Sequence, residues 1–240
     1  MTISRAEERL LDLTRARASF YGFVNLHFME LPDERFAASL REAEFISALE
    51  SLAQSHDVHR EIARGVSLMG SYLTATGNCP PRELSQQLGV DRTRLYRGVS
   101  PTYGPVPPYE ALWIGKNRGS DVLPEMAGIY QSSGFALQEG IQERLDYIGV
   151  QLSYMEQLAT REIETREAGR KEEVRAVLTC EKAFLEDHLG KWIPSFVKSA
   201  LERAQTDFYR GHLYMLQGFI EQEREVMDKL RDPSWIPGQD

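Results

Sequence analysis

The sequence predicts an all-α fold of about eight to ten helices, on three observations. Apolar residues recur every three or four positions in each long segment. No segment shows the period-two alternation of a half-buried strand. Four of the eleven prolines are concentrated in one short run, residues 98–108, which leaves long stretches without a helix breaker.

The elements follow in chain order. Leu10, Leu13, Arg17, Phe20, Val24 and His27 or Phe28 trace one face of a first helix, which stops before Pro32. Pro32-Asp33-Glu34 reads as the next N-terminus, with acidic residues that complement the helix dipole. Phe36, Leu40, Ala43 or Phe45, and Leu49 continue on one side. A third helix runs from about His59 to Leu73 and ends in Thr76-Gly77-Asn78-Cys79-Pro80-Pro81. Residues 98–108 hold four prolines and two glycines, so they are expected to form a hinge that no helix crosses. Beyond it, Ile141, Leu145, Ile148, Leu152, Met155 and Ala159 form a seam spaced 4, 3, 4, 3, 4. The acidic stretch Glu162-Ile-Glu-Thr-Arg-Glu that follows reads as a solvated helix end. Val174, Val177, Leu178, Phe184 and Leu185 mark another helix, with Pro194 in the first turn of its successor. One long face, Val197 to Leu230, completes the set. The expected organisation is an N-terminal helical part (1–97), the hinge (98–108), a C-terminal helical part (109–232) and an irregular tail (233–240), packed as one compact domain.

Composition narrows the function. The chain has 240 residues, 42% of them apolar and 27% charged, with a net charge of −8. That is a globular composition, and it suits a cationic partner better than a nucleic-acid backbone. No run approaches the roughly 18 apolar residues of a membrane span. Arg5, Glu7, Glu8 and Arg9 leave no apolar core for an export signal. Cys79 and Cys180 lie about a hundred residues apart, which fits a reducing cytoplasm and gives no metal-knuckle spacing.

Motifs for chemistry are sparse. His56 and His59 are close enough to share a helix face, but nothing completes a metal site around them. There is no Glu-x-x-His, no glycine-rich phosphate loop and no serine nucleophile elbow, so neither a catalytic residue nor a cofactor is expected. The strongest local pattern is 81–97, which is similar to a helix-turn-helix. Leu84 and Leu88 would pack a first helix, Gly89 would take a left-handed turn, and Arg92, Arg94 and Arg97 would line a recognition helix. A DNA-binding regulator built on these residues is the alternative reading.

Three further segments carry more when taken together. They are Leu95–Trp113, with Leu-Tyr-Arg and then Pro107-Pro108-Tyr109-Glu110; Leu145–Leu158, with Asp146-Tyr147-Ile148-Gly149; and Phe184–Phe196, with His188-Leu189-Gly-Lys-Trp192. In this order and spacing they resemble the TorD/DmsD/NarJ family of cytoplasmic chaperones, which mature molybdenum-containing redox enzymes. Tyr147 stands where that family usually has His, and Tyr109 where many members have Trp. The resemblance implies a TorD-like helical fold and a chaperone without catalytic turnover. Its implied partner is the catalytic subunit of a molybdopterin-dependent oxidoreductase, bound through its twin-arginine signal peptide and as apoenzyme. It further implies help with cofactor insertion and control of export. No nucleic acid partner, no stable membrane insertion and either a monomer or a domain-swapped homodimer are expected.

A signal peptide is basic at one end and apolar along its middle, so its binder needs apolar anchors with an acidic rim. Residues 119–167 hold nine acidic and three basic side chains. Tyr103, Tyr109, Glu110, Leu112 and Trp113 adjoin the hinge, and Asp146 and Tyr147 carry a second family motif. These seven are the candidate client-binding residues. Tyr109 and Trp113 suit either core packing or peptide contact. Asp146 suits three roles: receiving an arginine, solvation on a helix, or capping the hinge. His188, Trp192 and Phe196 lie near one helical face, where a structural role is favoured over binding.

Overall fold

Helix ends are set by local chemistry along most of the chain. The structure, a computed structural model, describes residues 5–54, 58–98, 104–115, 119–136 and 142–230. Ten α-helices are found among them: α1 (Arg5–Met29), α2 (Glu34–Ser39), α3 (Ala43–Gln54), α4 (Arg60–Ala75), α5 (Pro81–Tyr96), α6 (Val122–Ser133), α7 (Ile148–Glu167), α8 (Lys171–Phe184), α9 (Gly190–Leu201) and α10 (Asp207–Leu230). The fold is all-α; the only strand-like feature among the described residues is one isolated antiparallel bridge, Tyr109 to Tyr147. Asp33 caps α2 by accepting from Phe36 N at 2.8 Å. Pro81 opens α5, and Gly134 closes α6 in the left-handed region at φ +72°. His56, Ile141, the stretch 99–103 of the Pro-rich run and the tail 233–240 lie outside the described residues.

Several expected helices are divided differently. The face from Phe36 to Leu49 belongs to two helices, α2 and α3, separated at Leu40–Glu42. The helix expected to hold Leu145 starts only at Ile148. Pro194 is not at a helix start but inside α9, and the irregularity sits before it: residues Leu185–Leu189 form a π turn that joins α8 to α9. The long face after Val197 is cut at 202–206. Asp91 of α5 causes this cut, accepting from Gln205 N at 3.1 Å, Thr206 N at 2.8 Å and Thr206 Oγ1 at 2.8 Å. Asp91 thus fixes the connector from a distance, while Thr206 caps α10 locally, its Oγ1 accepting from Tyr209 N at 3.3 Å.

The helix-turn-helix is overturned. Residues 81–96 are one continuous helix through Gly89, which has no positive φ. Arg92 is fully buried and Arg94 nearly so. Arg92 donates through Nε to the His27 carbonyl at 3.2 Å and through Nη2 to the Phe28 carbonyl, filling the exposed end of α1. Its charge is spent on helix carbonyls and does not face a phosphate backbone.

Contacts divide the chain into two units. The first comprises Met1–Leu26, Tyr109–Lys191 and Glu223–Asp240; the second comprises His27–Pro108 and Trp192–Gln222.

The core of the second unit is aromatic. Phe28 stacks on Tyr96 at 4.5 Å, His27 meets His212 at 4.7 Å, and Trp192 packs on Phe196 at 5.9 Å. Tyr96 Oη lies 2.8 Å from His212 Nδ1. Burial holds His27 neutral, well below the ordinary histidine range, with His212 and Arg92 adding to the effect. In the same unit α4 and α10 meet backbone to backbone. A Cβ on Gly65 would stand 2.4 Å from the Gly211 carbonyl oxygen, and one on Gly211 would stand 2.5 Å from that of Gly65.

The first unit is organised round Arg17. Its guanidinium donates to Glu162 of α7 at 2.7 Å, Glu181 of α8 at 2.7 Å and Glu223 of α10 at 2.9 Å. Tyr21 Oη donates to Glu223 at 2.8 Å, and Arg166 Nε donates to Glu162 at 2.6 Å. The stretch read as a solvated helix end therefore includes a fully buried glutamate and a nearly buried arginine. The reason is positional: Glu162 and Arg166 continue the seam of Met155 and Ala159 at the same spacing. Burial works against the Arg17 charge, but Glu181, Glu223 and Glu162 outweigh it and keep the guanidinium protonated. Burial pushes Glu181 up to about 8; Arg17 opposes this and Glu162 and Glu223 reinforce it.

Two outcomes follow. Folded Glu181 keeps its proton to about pH 8, whereas an unfolded glutamate releases it near 4.5. The folded chain binds more protons between those values, so this group's contribution to stability is full below about 4.5 and is lost as pH rises towards 8. In urea melts over that range, Glu181→Gln should remove this downward component and show a smaller fall in midpoint than the parent. Substitutions at two glycines of α4 should act in opposite directions. Gly65→Ala should cost about 1–3 kcal/mol by overpacking. Gly70→Ala, where nothing lies within 4 Å of the added Cβ, should stabilise by about 0.5–1 kcal/mol. Thermal or urea unfolding of the two variants reads both signs.

Candidate functional site

Two prolines, Pro107 and Pro108, deliver the chain to Tyr109 in an extended conformation, φ −115° and ψ 122°. Tyr109 bridges to Tyr147, and Glu110 N donates to the Asp146 carbonyl at 3.0 Å. The chain then turns over as a 3₁₀ turn, Glu110–Leu112. Asp146 holds this turn: its Oδ2 accepts from Ala111 N at 3.1 Å. Of the three roles open to Asp146, the geometry displays the cap. The same carboxylate receives Arg144, through Nε at 3.0 Å and Nη2 at 2.9 Å.

Beneath the turn lies a buried polar frame. Glu110 is 1% exposed, and its carboxylate faces His188 Nδ1 at 3.0 Å and accepts from Gln151 Nε2. His188 is delivered by the π turn and Gln151 by the first turn of α7. Gln151 Nε2 also lies 3.9 Å from Met126 Sδ of α6. The frame thus ties together the 3₁₀ turn, α6, α7 and the π turn. Phe184 packs on His188 at 4.9 Å and on Tyr154 at 4.7 Å, which closes the frame on its apolar side.

Above the frame the residues are open to solvent. Leu112 is 50% exposed, and Tyr109, Trp113 and Ile114 are half-buried. Tyr109 stacks on the buried Tyr147 at 5.2 Å, while the Arg144 guanidinium carbon stands 4.9 Å over the Tyr109 ring. Six of the seven candidate client-binding residues, Tyr109, Glu110, Leu112, Trp113, Asp146 and Tyr147, therefore come together in one unit. The seventh, Tyr103, lies outside the described residues. His188 joins them from below. Trp192 and Phe196 are fully buried in the core of the other unit.

Sequence reasoning missed Gln151 and Arg144. Gln151 is a polar residue beside the apolar seam of α7, a signal that such a position needs a buried partner. Arg144 stands two residues before Asp146, a spacing that pairs side chains only where the chain is not helical. The expectation of a helix through Leu145 hid it.

A cavity of about 290 Å³ opens in this unit on the far side of Tyr154, walled also by Phe135 and Leu158 with Arg161 and Glu164 among its polar residues. Among the described residues, no group of three or more His, Cys, Asp or Glu is gathered to hold a metal ion. No described helix is long and apolar enough to cross a membrane.

Comparison with known proteins bears on the family. The sequence model of the family described as nitrate reductase delta subunit matches residues 33–198. Chaperone protein TorD of Vibrio cholerae serotype O1 (El Tor Inaba N16961) is 20% identical over 224 residues, spanning 93% of this chain and 97% of that protein. TorD of the M66-2 strain is 22% identical over 228 residues, with the same shares covered. TorD of Photobacterium profundum is 26% identical over 154 residues, 63% of this chain and 69% of that protein. A family match over more than half of the chain, together with relatives aligned along nearly their whole length, places it: the chain belongs to the nitrate reductase delta subunit family, the TorD/DmsD/NarJ group.

Proposed function

We propose that the chain is a dedicated maturation chaperone of a molybdenum-containing oxidoreductase subunit. It works in the cytoplasm without catalytic turnover. It binds the subunit's twin-arginine signal peptide and its apo form, assists cofactor insertion, and holds the subunit back from export until it is loaded. The relatives named TorD, which are chaperones, support the general role.

One observation carries the peptide-binding part of this reading: an exposed apolar turn stands on a buried, fully engaged polar frame. A flexible loop with the same side chains would lose much of its binding energy in ordering itself. Here Asp146, Glu110, Gln151 and His188 hold the backbone of the turn in place. Leu112, Trp113 and Tyr109 then meet the apolar middle of a peptide without that cost. The burial supports a division of labour: the aromatic and aliphatic groups are open for contact, and the buried carboxylates at 110 and 146 position them.

The two roles separate under mutation. Leu112→Asp and Trp113→Ala should each weaken binding of the client's signal peptide by tenfold or more, about 2 kcal/mol for a central anchor, with the circular dichroism spectrum unchanged. Glu110→Ala should act through stability instead. It strips His188 and Gln151 of their buried partner and should lower unfolding stability by about 1–3 kcal/mol. Calorimetric titration with the peptide, paired with urea melts, reads both effects. Unchanged peptide affinity in both Leu112→Asp and Trp113→Ala would place the contact surface elsewhere.

A further inference from the structure

Asp146 and Arg144 are an asymmetric pair. The Asp146 carboxylate is fully buried, built into the unit and bonded to Ala111 N. The Arg144 side chain is 47% exposed and lies across it from outside. A carboxylate removed from water demands a cation. The chain supplies one, in a geometry that uses everything a guanidinium offers. Nε and Nη2 engage the two carboxylate oxygens side by side, and the guanidinium carbon stands over the Tyr109 ring. Glu143 adds a second acidic group at the rim, with Oε2 3.5 Å from Tyr109 Oη. An ammonium would satisfy the charge but neither the fork nor the stacking.

We propose that Asp146 and Tyr109 form a guanidinium seat, that Arg144 fills it in the free chain, and that an arginine of the client peptide takes it by displacing Arg144. This rests on the reading of the chain as a signal-peptide binder and names the chemistry of one subsite. Arg144 is suited to leave because its own side chain is 47% exposed and is hydrated on release, while the incoming guanidinium supplies the cation that buried Asp146 requires. The cap on Ala111 N survives the exchange, because it does not involve Arg144. The 3₁₀ turn and its apolar anchors therefore keep their place while the guanidinium changes hands. Filling the seat internally also protects Asp146 from unrelated arginine-bearing chains, since any ligand must first outcompete the resident. Selectivity then falls to peptides that engage the seat and the apolar turn together.

The test uses the full chain and three probes: a peptide with two adjacent arginines ahead of an apolar stretch, the same peptide with both replaced by lysine, and N-acetyl-arginine methylamide. Removing an internal competitor should raise apparent affinity by the inverse of the fraction of open seat, roughly three- to tenfold. Arg144→Ala should thus bind the diarginine peptide about three- to tenfold tighter than the parent, with a gain below about twofold for the lysine peptide. Adding Asp146→Asn to Arg144→Ala should abolish the gain. In the variant, the small guanidinium should shift the ring resonances of Tyr109 at millimolar concentration and leave those of the parent still. A gain for either arginine probe that depends on Asp146 upholds the seat. If neither chain binds either peptide while the variant takes up the small guanidinium, the seat stands and the chaperone reading falls. Equal or weaker binding of both arginine probes by Arg144→Ala overturns the proposal. Arg144→Lys keeps the charge and should gain about half as much on a logarithmic scale. Failure of both single variants to fold would also overturn it, because a displaceable occupant cannot be required for folding.

Discussion

One buried guanidinium, that of Arg17, holds the first unit together. It reaches glutamates on α7, α8 and α10 from its own place on α1, and so ties the first helix to three that lie more than a hundred residues along the chain. The consequence for the candidate site is direct. The residues that frame the 3₁₀ turn come from the start of α7, where Tyr147 and Gln151 stand, and from the π turn after α8, where His188 stands. Glu162 and Glu181 belong to those same two helices. A common cation between them fixes how far the helices can slide past one another. Ionic clusters of this kind add little net stability compared with an apolar core, but they tolerate few alternative arrangements.

The proposed site inverts the common picture of a peptide-binding surface. Two of its carboxylates are inside and its aliphatic anchor is outside. Glu110 and Asp146 are buried at 1% and 0% exposure, whereas Leu112 stands half in water. The inversion is consistent with the physics of each group. A carboxylate can orient backbone N–H groups over a whole turn, as Asp146 does for Ala111, and that work is strongest away from water. An aliphatic side chain contributes to binding only if it starts out wet and ends up dry. Sequence alone presents all of these as one aromatic and acidic patch, because it records which residues are near and not which way they point.

The helical class was legible from periodicity, and so was the family from the joint order of three motifs. What stayed hidden was whatever depends on a partner far along the chain. The connector before α10 is held by Asp91 of α5, and only the Thr206 cap is written locally, so the face from Val197 to Leu230 looks unbroken in the sequence pattern. Arg92 and Gly89 imitate a helix-turn-helix because a buried capping arginine and a phosphate-binding one have the same one-letter code. Arg17 was visible on the apolar face of α1, yet nothing local distinguishes a buried cation from one whose stem merely lies along the core. Glu162 carried a better signal: it falls on the seam spacing of α7, and a charged residue in a seam asks for a buried counter-ion.

The crossing of α4 and α10 in the second unit has a different kind of consequence. Where leucine meets leucine, a change to valine or methionine is absorbed by small shifts, and a lineage can wander through several solutions. Two backbones in contact admit no such series. At Gly65 and Gly211 every other residue brings a Cβ towards a carbonyl oxygen only 2.4 or 2.5 Å away. Neutral drift is therefore closed at these two positions while it stays open around them. A descendant that left glycine behind at either would have to move the helices apart, and with them the aromatic residues of α10, in a single step.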